Sequence, residues 1–82
     1  LGIFTGVAEM TLTLIKTKYD ERHEIILFKL KTNYGIRDFA VTEKLEMDWN
    51  WEDYHYLTRT EKAEIETFIK QYLFSKLLEV VR

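Results

Sequence analysis

An uninterrupted C-terminal helix is the feature that most constrains the fold of this 82-residue chain. Thr58 and Glu61 have the spacing of a capping box, in which a threonine and a glutamate three residues later satisfy each other's backbone amides. Neither Gly nor Pro occurs between this box and Arg82. The sequence therefore predicts a helix over about 59–81, roughly 35 Å long at 1.5 Å per residue.

The apolar surface of this helix widens toward its end. Its first part carries a single apolar stripe that includes Ile65 and Ile69, whereas the last turns are apolar on most sides. A helix that is apolar nearly all round is usually buried nearly all round, and three or four short strands cannot cover both of its sides. We therefore expect a second copy of the chain or another protein to cover this region, unless Ile3 and Phe4 cover it or the chain is cut from a larger protein. Self-association is the preferred of these alternatives. The expected contact residues are Phe74, Leu77, Leu78 and Val81.

The residues before the helix carry strand patterns separated by turn signals. Alternation of apolar and polar residues predicts strands over about 8–19, 24–32 and 36–51, after a lead-in at 1–7 that we expect to be loose. The turn between the second and third strands is predicted at Asn33-Tyr34-Gly35, because Asn and Gly tolerate positive φ. The third run is longer than an ordinary strand, so a bulge or break is expected near 42–44, with a fourth strand counted after it.

These elements predict one α+β domain over residues 1–82. The architecture is a three- or four-stranded antiparallel β-meander followed by one long C-terminal helix packed on the sheet. The second strand has apolar residues on both faces, at Ile26, Phe28 and Leu30 and at Ile25 and Leu27. Which of these two faces the helix covers therefore stays open.

The sequence carries no pattern typical of an enzyme or a metal site. It has no cysteine, so disulfides and thiolate ligands are excluded. Its two histidines, His23 and His55, have no second histidine at ligand spacing, and its three glycines are too scattered for a phosphate-binding loop. The one serine, Ser75, falls inside the predicted helix. We expect no catalytic residue, no cofactor and no metal.

Residues 47–57 concentrate aromatic and acidic side chains, including both tryptophans. Core packing is expected for at least one tryptophan, because Trp49 and Trp51 continue the alternation of the third strand. Exposed members of this segment would suit a basic or arginine-bearing protein through charge pairing and cation–π contacts. The predicted partner-binding residues are Trp51, Asp53, Tyr54 and Tyr56.

Basic residues gather in the first hairpin and at the start of the third strand. Cations interleaved with aromatic rings on a sheet are typical of single-stranded nucleic-acid binding, whereas lysines alternating with apolar residues also keep a sheet face soluble. The net charge of −2 argues against a dedicated DNA-binding domain. The residues of this alternative nucleic-acid face are Lys16, Lys18, Lys29, Lys31, Tyr34 and Arg37.

The sequence as a whole favours a small non-enzymatic protein–protein interaction module. We expect an accessory, adaptor or inhibitor type, of a size and composition also common among viral and mobile-element proteins. No apolar run approaches the roughly 20 residues that span a bilayer, and no signal-peptide pattern is present, so we expect no membrane partner and a cytoplasmic location. The expected partners are a second copy of the chain and another protein. The alternative function is a single-stranded nucleic-acid-binding domain.

Overall fold

A four-stranded antiparallel sheet followed by one helix forms the protein, as the sequence predicts. The structure, a computed structural model, describes residues 10–81, with the side chain of the last of these left out. The strands lie in chain order across the sheet, and each pairs with the next. The elements are β1 (Thr13–Asp20), β2 (Ile25–Thr32), β3 (Gly35–Thr42), β4 (Met47–Asp48) and α1 (Arg59–Val81).

The long third run of the sequence divides into two strands at a tight turn. β3 ends at Thr42, whose carbonyl accepts a hydrogen bond of 2.9 Å from the amide of Leu45. Leu45 has a φ of 64°, which reverses the chain and lets β4 pair back onto β3. The predicted interval 36–51 was thus too long, because Trp49 and Trp51 follow β4 in irregular structure rather than extending a strand.

The first strand begins later than predicted and contains a bulge. Pairing with β2 starts at Thr13 rather than near residue 8, and its register shifts between Leu14 and Lys16. Leu14 faces Leu30, whereas Lys16 faces Lys29. The extra residue between them changes which face each later side chain of β1 occupies. The lead-in predicted at 1–7 lies outside the described residues.

The helix covers the face of β2 that carries Phe28 and Leu30. Both side chains are fully buried against Ile65 and Ile69 of α1, and Phe39 of β3 completes this layer. Burying a side chain of this size contributes about 1.5–3 kcal/mol each. The sequence left open which face of the second strand the helix covers, and the structure shows that it is the face of Phe28 and Leu30.

A capping box fixes the start of the helix, as predicted. The Thr58 amide donates to Glu61 Oε1 at 2.9 Å, and the Glu61 amide donates to Thr58 Oγ1 at 3.1 Å. The second carboxylate oxygen of Glu61 accepts a hydrogen bond of 2.7 Å from the hydroxyl of Tyr34. The amide of Thr58 is the main cause of a lowered pKa for Glu61, and the Tyr34 hydroxyl adds to it. The helix start is therefore tied to the β2–β3 turn.

Candidate functional site

The last two turns of α1 carry large apolar side chains that the sheet does not cover. Tyr72 still reaches the core, where its ring meets the edge of Phe28 at 5.8 Å. Beyond it, Phe74 is 62% exposed, Leu77 58% and Leu78 39%. These three are the predicted self-association residues whose side chains the structure describes. We call Phe74, Leu77 and Leu78 the helix tail.

A groove runs beside the helix tail, between α1 and the turn that joins β3 to β4. Its volume is about 520 Å³, within the range typical of ligand and peptide sites. The floor is apolar, and charged residues stand at its rim. The residues that line it are Lys44, Leu45, Glu46, Lys70, Leu73, Phe74 and Leu77.

Leu45 is an unexpected part of this groove. Its φ of 64° lies in the left-handed region, where glycine or asparagine is the ordinary residue and a leucine is strained. Its side chain is also half exposed, so core burial does not explain why a leucine stands there. Strained backbone of this kind is concentrated at functional sites. The groove is therefore extended by an apolar side chain that the fold itself does not require.

The charges around the helix tail are paired within the helix. Lys70 Nζ lies 2.8 Å from Glu66, and Lys76 Nζ lies 3.6 Å from Glu79. Both pairs are exposed and contribute little to stability. Lys44 and Glu46 of the turn also line the groove, and neither forms an ion pair with another residue of 10–81. The groove therefore offers an occupant apolar contact together with two charges that have no ion pair there.

Tyr54 belongs to the core and not to a contact surface, contrary to its predicted role. Its side chain is 3% exposed, its ring stacks on Phe39 at 5.3 Å, and Trp49 meets it edge-on at 5.4 Å. The hydroxyl donates to the carbonyl of Asp38 at 2.6 Å. Burial raises the pKa of this phenol. The apolar face of β3 explains the burial of Tyr54, because a large aromatic ring that lies over such a face is more stable buried than exposed to solvent.

The other three predicted partner-binding residues do not share one surface with each other. Trp51 is half-buried and meets the ring of His23, before β2, at 5.4 Å. Tyr56 is half-buried against Tyr34, after β2, at 5.1 Å. The two therefore lie toward opposite ends of an eight-residue strand. Asp53 is exposed and pairs with a neighbouring histidine, whose hydrogen bonds lower the pKa of the aspartate.

The residues of the alternative nucleic-acid face separate onto the two sides of the sheet. Lys16, Lys18 and Lys29 line one groove on the face away from the helix, and alternation along β2 adds Lys31 to that face. Arg37 pairs with the buried Leu30 and so belongs to the helix side.

Arg37 and Tyr34 instead connect the sheet to the start of α1. The Arg37 guanidinium lies over the ring of Tyr56 at 5.1 Å, and its Nε donates to the carbonyl of Tyr34 at 3.0 Å. Together with the bond from Tyr34 to Glu61, these contacts hold the β2–β3 turn against the helix. The sequence analysis did not predict this structural role of Arg37 and Tyr34. The one signal for it was the capping residue Glu61, whose second carboxylate oxygen was available to accept a hydrogen bond.

Within residues 10–81, no group of three or more metal-ligating side chains is placed to hold an ion. In the same part of the chain, no helix combines the length and apolarity needed to cross a membrane. Comparison with known proteins finds no matching family model, no matching curated protein and no matching solved structure.

Proposed function

We propose that this protein is a small non-enzymatic interaction module that self-associates through the helix tail. The exposure of Phe74, Leu77 and Leu78 beside the groove at Leu45 is the observation that carries the proposal. An apolar patch that continues into a groove of this kind is typical of a protein-binding site. The accessory or adaptor role and the cytoplasmic setting expected from the sequence are part of the same proposal.

A second copy of the chain is the occupant that we propose. Leu73, Phe74, Leu77 and Leu78 recur at spacings of three and four residues, which is the pattern by which two helices pack side by side. Two copies related by a two-fold axis would each bring the same patch to the contact. Such a contact would cover both helix tails at once, and each groove would receive apolar side chains from the other copy.

A charge placed at the centre of the helix tail tests this proposal. The variant Leu77→Glu changes a side chain that is 58% exposed, so its folding should be unaffected. Ile36→Glu is the matched control, because Ile36 is 57% exposed and lies on the opposite side of the sheet. Circular dichroism checks that both variants fold, and sedimentation velocity over a range of concentrations measures their association.

We expect the parent chain and Ile36→Glu to be dimers and Leu77→Glu to be a monomer. A buried glutamate without a partner strongly disfavours the dimer contact. Equal masses for Leu77→Glu and the parent would contradict the proposal, and so would a parent chain that stays monomeric at every concentration.

A further inference from the structure

β1 is the long open edge of the sheet. It pairs with β2 on one side, and within residues 10–81 no other backbone hydrogen bond reaches it. The opposite edge is the two-residue strand β4. The eight residues Thr13–Asp20 thus present a row of backbone donors and acceptors on which a further strand can form.

The bulge in β1 determines which of its side chains lie on the outer face of the sheet beside this edge. In a regular register, Lys16 and Lys18 would fall on the face of Leu14, which the helix covers. The shift after Leu14 instead places Lys16 opposite Lys29 and Lys18 opposite Leu27, on the outer face. Thr17 and Tyr19, both exposed, take the helix-side positions opposite Phe28 and Ile26 instead.

The outer face consequently carries a concentration of positive charge. Lys16, Lys18 and Lys29 line a groove of about 220 Å³ with Leu27 and Asp38. Like charges directly opposite each other on neighbouring strands are destabilising, and Lys16 faces Lys29. Asp38 lies 3.4 Å from Lys29 and offsets one of these charges. Neither Lys16 nor Lys18 forms an ion pair with a carboxylate of residues 10–81.

Among residues 10–81, the strand positions on this face carry no aromatic ring on which a nucleobase can stack. Single-stranded nucleic-acid sites combine cations with aromatic platforms. Here the outward positions of the paired strands hold lysines and aliphatic or small polar residues. These positions are Thr13, Lys16, Lys18, Asp20, Ile25, Leu27, Lys29, Lys31, Ile36, Asp38, Ala40, Thr42 and Asp48.

We propose that β1 accepts an extended acidic peptide segment of another protein as a fifth strand. Side chains two residues apart on a strand share a face. Carboxylates at positions i and i+2 of the added segment would therefore meet Lys16 and Lys18, while its backbone bonds to the open edge of β1. This mode of recognition takes its affinity from main-chain hydrogen bonds and its specificity from alternate side chains. A second copy of β1 is a poor occupant, because its own lysines would approach those of the first.

Two synthetic peptides of equal composition and charge test the proposal. In one, glutamate alternates with valine, and in the other the same residues are arranged as a block of glutamates followed by a block of valines. Titration of the ¹⁵N-labelled full chain, followed by NMR, gives affinities and shows which amides are affected. We expect the alternating peptide to bind more tightly and to shift the amides of Thr13–Asp20.

Charge reversal at the edge provides the matched comparison. The double variant Lys16→Glu/Lys18→Glu should weaken binding at least about tenfold, because like charges then meet across the contact. Arg59→Glu/Lys76→Glu changes the net charge equally at exposed helix positions and should leave binding unchanged. The proposal is overturned if the block peptide binds as well as the alternating one, or if both double variants bind equally. It is also overturned if oligothymidylate binds through the same lysines more tightly than the alternating peptide.

Discussion

At the scale of single residues, burial separates side chains that look alike in the sequence. Tyr54 and Phe74 are both aromatic, yet one is 3% exposed and the other 62%. The sequence predicted contact roles for both. The prediction for Phe74 rests on the lack of a strand to cover that part of the helix, and its side chain is indeed exposed. The sequence analysis misplaced Tyr54 because the chain direction after β4, which brings this ring onto Phe39, follows from a turn at Leu45 that alternation does not encode.

Replacing Leu45 by glycine should increase the stability of the fold but weaken self-association. Glycine adopts a φ of 64° without strain, so we expect Leu45→Gly to raise the free energy of unfolding by up to about 1 kcal/mol. The same change removes an apolar side chain from the groove and should weaken the dimer. Urea unfolding of the monomer and sedimentation velocity measure the two effects.

Glu24 offers the matched control for this change. It has a φ of 57° in the turn before β2 and takes no part in the groove. Glu24→Gly should therefore remove comparable strain and leave association unchanged. If Leu45→Gly and Glu24→Gly associate equally well, the side chain of Leu45 is not part of the contact.

Removing the hydroxyl of Tyr54 should destabilise the fold and alter its response to alkali. Tyr54→Phe loses a buried hydrogen bond to the Asp38 carbonyl, which we expect to lower the free energy of unfolding by about 1–2 kcal/mol at neutral pH. Because burial raises the pKa of Tyr54, the unfolded chain releases its proton at a lower pH than the folded chain. The stability that this group contributes is complete below about pH 10 and is lost as the pH rises further.

Urea unfolding from about pH 8 to about pH 11 measures this loss. We expect a shallower decline in Tyr54→Phe than in the parent chain. Some decline should remain, because burial also raises the pKa of Tyr56. Parallel pH profiles for the two proteins would show that Tyr54 ionises as freely in the folded chain as in the unfolded one.

At the scale of elements, locally encoded features were predictable and long-range ones were not. Thr58 and Glu61 were enough to predict the start of the helix, and Asn33 and Gly35 were enough to predict the β2–β3 turn. The bulge of β1 is a long-range feature, because it shows only in the pairing of β1 with β2. Leu14 and Lys16 occupy equivalent positions in the alternation, yet the shift of register between them places Leu14 opposite Leu30 and Lys16 opposite Lys29.

Loss of the capping threonine should weaken the helix start. Thr58→Ala leaves the amide of Glu61 without its acceptor, so we expect the free energy of unfolding to fall by about 1 kcal/mol. Thr60→Ala serves as the control, because Thr60 is exposed inside the first turn and alanine is the better helix former. Chemical denaturation of both variants measures the difference. A Thr58→Ala protein as stable as Thr60→Ala would show that the capping box contributes nothing.

At the scale of the whole molecule, the protein has two surfaces of different character, one mainly apolar and one rich in lysine. The helix tail and the groove beside it are mainly apolar, and the neighbouring lysines of the helix, Lys70 and Lys76, are paired within it. The outer face of the sheet carries four lysines, of which Lys16, Lys18 and Lys31 have no ion pair among residues 10–81. The sequence indicated both sets of residues, but it could not separate Arg37 and Tyr34 from the lysines, because that separation depends on which sheet face the helix covers.

Salt should therefore distinguish the two surfaces. Raising the ionic strength to about 1 M shortens the Debye length to about 3 Å, which screens exposed charges but leaves apolar contact intact. We expect the dimer to persist under these conditions and the binding of the acidic peptide to be lost. Sedimentation velocity and NMR titration at low and high salt measure the two responses. A dimer that dissociates in high salt would mean that ionic contacts hold it together.

The most direct test of the central claim is a distance measured between two copies of the helix tail. The chain contains no cysteine, so Ser75→Cys places a single spin label at an exposed position of α1, next to Phe74 of the helix tail. Pulsed electron paramagnetic resonance should then give one narrow, short label-to-label distance, and Lys31→Cys on the outer sheet face should give a longer one. The absence of any dipolar interaction at Ser75→Cys, or a shorter distance at Lys31→Cys, would contradict self-association through the helix tail.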